Sequence, residues 1–317
     1  MKRTILVLSL LIGLSAASYS SSELVGTLKR DTLLGVPCMV YLPMLYDQRA
    51  QDTFPCLYLQ HGMFGSEDDW TQKGYLMFYM DSLLLNGLVK EMVIIMPDNF
   101  LGSIPPEERT SLMNAPYIDP DGEPIKTPNG SAHWAKLTRE QEQTYEMSGY
   151  WEEHFPSFKQ AVESKYRVSP LPKHTAIAGL SMGGFHTMHV AHLLTGQFRY
   201  VALFSPVILP REALDSEGDV STVEDSPYQT SGFDLQIEYE SPAYNQWMLD
   251  MRQMIQDPPL YWIGIGRDDF LYVQLQDYRH WLETNNFEYT YYESKGGHTW
   301  INWRDYLCRF LPKLFKE

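Results

Sequence analysis

The chain has 317 residues, 44% of them hydrophobic and 21% charged, which suits one large α/β domain with a well-buried core. Its formal charge of −15 excludes a general affinity for nucleic acid or anionic membranes and favours neutral or weakly charged partners. The three cysteines, Cys38, Cys56 and Cys308, include no C-x-x-C pair, so neither a disulfide framework nor a zinc ribbon or thioredoxin-type site is indicated.

The first residues read as a leader. Lys2 and Arg3 form a positive start, Thr4 to Leu14 is apolar, and Ser15, Ala16, Ala17 and Ser18 are small. The apolar run is shorter than the ~20 residues a spanning helix needs, so residues 1–18 are expected to be a signal peptide and the mature protein to be secreted or periplasmic. Residues 19–317 are expected to form a single domain. No other stretch is long and apolar enough to cross a bilayer.

Short apolar runs then alternate with helical patterns. Strands are predicted at Cys38–Leu42, Cys56–Gln60, Met92–Met96, Thr175–Ala178, Tyr200–Phe204, Tyr261–Ile265 and Phe287–Tyr292. Helices are predicted at Leu76–Leu85, Gly149–Lys165, Gly183–Leu194, Leu271–Thr284 and Trp303–Leu314. Several strands are apolar at consecutive positions, as strands covered on both faces are. The alternation predicts a mostly parallel sheet with helices on both faces, and the first strands an antiparallel hairpin at its edge. Cys38 and Cys56 are close enough to pair if their strands are neighbours; otherwise they are small buried hydrophobes. Residues 99–147 and 211–239 lack clear periodicity and read as insertions that build walls over a cleft.

The strongest chemical signal is Gly179-Leu180-Ser181-Met182-Gly183, followed by Gly184. It lies between a strand and a helix, the context of a nucleophile elbow. The turn is so tight that glycines are needed on either side of the serine, which stands exposed at the apex. A serine hydroxyl is a weak nucleophile and needs a base, oriented in turn by an acid. Both follow in the order serine, acid, histidine: Asp268 and Asp269 after one strand, His298 after the next, with Gly296 and Gly297 loosening the loop before it. Each stands just past a strand's C-terminal end, where open α/β sheets bind ligands. Backbone N–H groups to hold a developing oxyanion are expected from Met182, at the helix start, and from Met63, in the turn His61-Gly62-Met63-Phe64-Gly65. His61 itself is expected to be structural. His186, His189 and His192 recur at a spacing that hints at a metal, but no acid or cysteine pattern accompanies them; a polar helix side is the reading. Nothing in this set calls for a metal or a cofactor.

These residues resemble a known family. Val40-Tyr-Leu-Pro, Leu57-Tyr-Leu-Gln-His-Gly with Trp70 after it, Ile95-Met-Pro-Asp, Ala178-Gly-Leu-Ser-Met-Gly-Gly, Gly266-x-x-Asp269 and Gly297-His-Thr-Trp with Trp303-Arg304 run in order along almost the whole mature chain. They are similar to the esterase D and feruloyl-esterase group of α/β-hydrolases (carbohydrate esterase family 1-like), which also holds bacterial mycolyltransferases. The resemblance implies an α/β-hydrolase fold and a cofactor-free serine carboxylic-ester hydrolase. It selects Asp269 over Asp268 as the acid of a Ser181–His298–Asp269 triad. Secreted members often remove feruloyl or acetyl groups from plant polysaccharides, which implies an oligosaccharide or small-molecule ester as partner. Phe64, Trp70, Trp134 and Trp300 are candidates for an aromatic wall around a phenolic acyl group. The same triad also serves acyltransferases, S-formylglutathione hydrolases and peptidases, and the fold alone can serve as a binding module. The intact triad favours an enzyme; the leader disfavours the formylglutathione reading.

Overall fold

The computed structural model describes residues 26–118, 122–124, 136–208 and 259–316. Strand β1 (Thr27–Leu33) turns directly into β2 (Val36–Leu42). The two residues between them, Leu34 and Gly35, both take left-handed conformations, at φ 50° and 76°. That is the backbone of the primed turns whose twist matches a two-residue hairpin. The pair is antiparallel with Leu33 opposite Val36, the expected edge hairpin.

The remaining strands are β3 (Cys56–Gln60), β4 (Val93–Pro97), β5 (Thr175–Leu180), β6 (Tyr200–Phe204), β7 (Leu260–Gly266) and β8 (Thr290–Ser294). They complete an eight-stranded sheet in the order β1-β2-β4-β3-β5-β6-β7-β8. All neighbours from β4 to β8 are parallel, and β2 joins β4 antiparallel.

Alternate side chains of each inner strand feed two separate cores. Tyr58, Ile95, Ile177 and Leu203 point to one face, where α6 (Tyr150–Lys165), α7 (Met182–Leu193) and α8 (Tyr272–Thr284) cover them with Phe155, Phe185 and Tyr278. Leu57, Leu59, Ile94 and Phe204 point to the other, under α2 (Leu76–Leu85) and α9 (Trp300–Phe310), which supply Met80, Tyr306 and Phe310. Each inner strand is therefore buried on both sides, which is why it reads as an unbroken apolar run. Burial of this kind contributes about 25 cal/mol per Å² of apolar surface.

Three expectations are corrected. Residues 99–147 are largely helical where described, with α3 (Asn99–Gly102), α4 (Pro106–Asn114) and α5 (Arg139–Met147). Phe100, Leu101, Ile104, Leu112 and Leu137 form a small core of their own. Two starts were legible: Pro106 at the first turn of α4, and Thr138 with Gln141, which close a capping box at α5. Strand β8 begins at Thr290, not Phe287. Asn286 is left-handed at φ 57°, and Phe287 is drawn into the core against Tyr261, ring centroids 5.2 Å apart. Helix α9 starts three residues earlier than expected, at Trp300. Of the two readings open for Cys38 and Cys56 the structure takes the second: β4 lies between β2 and β3, so they sit on non-adjacent strands as free, buried thiols. Burial pushes the Cys38 thiol up to about 12. The expected insertion at 211–239 falls outside the described residues, as do residues 1–18.

Candidate active site

Strand β5 runs into α7 through Ser181 alone, and the geometry of that junction is strained. Ser181 has φ 54° and ψ −119°, a region that costs a non-glycine residue on the order of 1–3 kcal/mol and concentrates at functional sites. The flanking backbones allow no side chains: a β-carbon on Gly179 would run into the Gly183 carbonyl, and one on Gly183 into the carbonyl of His61. The serine backbone is held from three sides. Its N–H donates to Phe204 O at 2.9 Å, and its carbonyl accepts from Gly184 N at 2.9 Å and Phe185 N at 3.1 Å.

The Ser181 Oγ lies 2.8 Å from His298 Nε2. On the other side of the imidazole, Nδ1 stands 3.0 Å from both Asp269 carboxylate oxygens. An ionised carboxylate only accepts, so Nδ1 carries the proton and Nε2 is left to take one from the serine. Asp269 is buried and is anchored further by Leu271 N at 3.0 Å. Its neighbour Asp268 diverges: it is exposed, and its Oδ2 accepts from Gly296 N at 3.2 Å. The His298 ring is walled by Phe270, 4.5 Å between centroids, and by Trp303, perpendicular at 4.9 Å. Asn302 Nδ2 donates to Gly297 O at 2.8 Å and steadies the loop.

Two stretches of backbone adjoin the serine. Met182 is the first residue of α7, where helix N–H groups have no intrahelical acceptor and the dipole is positive. The loop carrying Met63 lies directly against the elbow, since a β-carbon on Gly62 would meet the Ser181 Cβ at 3.1 Å. This loop is fixed by buried side chains. Asn99 Oδ1 accepts from His61 N at 3.0 Å while Asn99 Nδ2 donates to His61 O at 3.3 Å. His61 Nδ1 contacts Gly62 O at 2.7 Å and its Nε2 lies 3.6 Å from Asp98 Oδ1. Burial disfavours the His61 cation, yet the facing Asp98 carboxylate outweighs it and raises the imidazole above its usual range. The structural role expected of His61 is thus given a specific form. Asp98 closes the Ile95-Met-Pro-Asp piece of the resemblance, though its contact with His61 was not legible from it, and Asn99 carries no signal except its position after a buried strand.

These residues open into a cleft of about 550 Å³ lined chiefly by apolar side chains, among them Met63, Phe64, Met147, Val207, Phe270, Trp300 and Trp303. Phe64, at φ 60°, and Trp300 line the cleft. Trp70 does not line the cleft. It is 1% exposed, its Nε1 donates to Gln60 O at 3.0 Å, and its ring packs edge-on behind Trp300 at 5.2 Å. An indole following a strand this closely is drawn under the loop by the backbone acceptor. Trp134 lies outside the described residues. Asp69 and Lys73, paired at 2.9 Å on α1 (Asp69–Gln72) and the residue after it, bring charge to the cleft wall.

The histidines of α7 are not a polar helix side. His186 and His189 are buried, because α7 is enclosed between the sheet and α6. His186 Nδ1 lies 2.6 Å from Glu152 Oε1. Burial opposes the Glu152 charge, but His186 outweighs it and holds the carboxyl below its usual range. Among the described residues no group of three His, Cys, Asp or Glu could hold a metal ion.

The model of the family described as "putative esterase" matches residues 114–314. An acetyl esterase of Caldicellulosiruptor saccharolyticus is 28% identical over 173 residues, covering 52% of this chain and 65% of that protein. An endo-1,4-beta-xylanase/feruloyl esterase of Xylanibacter ruminicola is 37% identical over 60 residues, 18% of this chain and 8% of that one. The chain therefore spans less than two thirds of either relative. Among solved structures, a CE1 ferulic acid esterase from the anaerobic fungus Anaeromyces mucronatus superposes with a TM-score of 0.61 at 20% identity, over 92% of this chain and 91% of that one. That likeness fixes the fold as the α/β-hydrolase fold.

Proposed function

The chain belongs to the putative esterase family, and from that membership we propose that it is a secreted serine carboxylic-ester hydrolase acting on feruloyl or acetyl esters of plant polysaccharide. The observation that carries the chemistry is the unbroken line from Asp269 through His298 to the Ser181 Oγ, with the two imidazole contacts at 3.0 and 2.8 Å, opening on an apolar cleft. The names of the relatives support the substrate class, as one is an acetyl esterase and another joins xylanase to feruloyl esterase. Secretion is supported by the leader-like residues 1–18.

The reaction follows from the residues. As Ser181 Oγ attacks the ester carbonyl, its proton passes to His298 Nε2. The oxyanion is held by the N–H groups of Met182 and Met63. The C–O bond to the alcohol breaks, and the leaving oxygen takes the proton back from His298. Water then attacks the acyl-enzyme, again giving its proton to His298, and Ser181 is released with the free acid. Asp269 keeps the tautomer correct and stabilises the imidazolium in both halves.

The test is hydrolysis of methyl ferulate, short p-nitrophenyl acyl esters, and acetylated and feruloylated xylan fragments by the mature protein. Turnover of the xylan fragments at least as fast as of the simple esters is expected. Turnover of simple esters alone overturns the polysaccharide assignment, and turnover of none overturns the hydrolase assignment.

A further inference from the structure

Tyr75, just before α2, is a bulky residue in a backbone conformation that glycine adopts at less cost. Its φ is 53° and its side chain remains 51% exposed. Burial therefore does not repay the strain, and the ring stands available at the surface. The ring is nevertheless held. The Arg304 guanidinium lies 4.7 Å from its centroid, and Arg304 Nε is itself fixed by donating to Trp300 O at 3.0 Å. Two exposed apolar side chains extend the surface: Phe78, three residues along from Tyr75, and Ile301, three residues before Arg304 on α9.

This surface lies beside the cleft. Lys73, two residues before Tyr75, and Trp300, which anchors Arg304, both line it. A substrate whose ester carbonyl sits at Ser181 has one part in the apolar cleft and must send the other out across this rim. We propose that Tyr75 is a stacking platform for a sugar ring of the alcohol part of the ester, adjoining the acyl cleft. The occupant's chemistry follows from the surface. A pyranose has an apolar C–H face that suits a flat, braced phenol ring. Its edge hydroxyls suit the N–H donors of Lys73. This inference rests on the polysaccharide reading above and assigns it a residue.

The experiment compares kcat/KM of the wild type with Tyr75→Ala and Tyr75→Gly on ester pairs that share an acyl group: methyl ferulate against a feruloylated xylo-oligosaccharide. Tyr75→Ala is expected to lower kcat/KM on the oligosaccharide about five- to tenfold, chiefly through KM, and to stay within about twofold on methyl ferulate. Tyr75→Gly is expected to show the same selective loss with an unchanged or higher melting temperature, since it relieves the backbone. That variant separates a lost contact from a damaged fold. Equal losses on both esters, no loss on an oligosaccharide that the wild type cleaves, or a change in sedimentation that makes the patch a contact between copies would each overturn the platform. A wild type that cleaves methyl ferulate but not the oligosaccharide would instead sink the polysaccharide reading, and the platform with it.

Discussion

Asp269 presents both carboxylate oxygens to His298 Nδ1 at 3.0 Å, while Asp268, one residue earlier, faces solvent and caps the turn at Gly296. Adjacent carboxylates thus have separate tasks. Asp269→Asn replaces an acceptor by an amide that favours the wrong histidine tautomer and should lower kcat by about 10³–10⁴-fold. Asp268→Asn should leave kcat within about threefold. Steady-state kinetics on p-nitrophenyl acetate decides, and similar losses in both variants would mean that the acid is misassigned.

The His61 carbonyl fills the space that a β-carbon on Gly183 would need. The elbow and the loop bearing Met63 are therefore packed backbone to backbone, and neither can yield without moving the other. Gly183→Ala should destabilise the fold by roughly 2–4 kcal/mol and reduce kcat more than KM. Urea unfolding and kinetics that match the wild type would refute this contact.

Trp70 and Trp300 are in edge-to-face contact, but only Trp300 borders the cleft. Trp300→Ala is expected to raise KM for methyl ferulate. Trp70→Phe removes the hydrogen bond to Gln60 O and should cost about 1–2 kcal/mol of stability with a smaller change in KM. A larger KM effect from Trp70→Phe would return Trp70 to the substrate wall.

A pH-dependent contribution is expected where the edge hairpin meets the end of α6. Asp31 accepts from Lys165 Nζ at 2.6 Å and from Tyr166 Oη at 2.5 Å. Burial works against its charge, but these two partners outweigh it and hold the carboxyl at about 2, below the ordinary 3.8. A carboxylate depressed by folding stabilises at pH above its unfolded value and loses that contribution as pH falls through the folded one. Asp31→Asn should therefore lower stability by roughly 1–2 kcal/mol at pH 7, with the gap from wild type closing between about pH 4 and 2. Urea midpoints across that range check it; a gap that stays constant would show that the charge is not what matters.

Much of this was legible because the signals were local. Apolar runs at Cys56–Gln60 and Tyr200–Phe204 mark doubly covered strands, and Gly179, Ser181 and Gly183 mark a turn that tolerates little else. The geometry around His298 brings together three residues that lie 117 and 29 positions apart, and only their order and their places after strands pointed to one another. What escaped was set by tertiary context. The core of Phe100, Ile104, Leu112 and Leu137 is spread over short helices whose pattern is too brief to show a period. Strand β8 starts late because Phe287 is pulled into the core. His186 and His189 of α7 are buried under α6, and a polar spacing along one helix says nothing about what packs on it.

The central claim is that Ser181 becomes acylated. The most direct measurement is rapid acid quench of the enzyme with p-nitrophenyl acetate, followed by peptide mass spectrometry, on wild type and on a Ser181→Ala variant of native circular dichroism. The account predicts one acetyl group on the peptide containing Ser181 in the wild type, and neither acetylation nor turnover in the variant. A folded Ser181→Ala protein that still hydrolyses the ester at a rate near wild type, or an acetyl group carried on another residue, would contradict it.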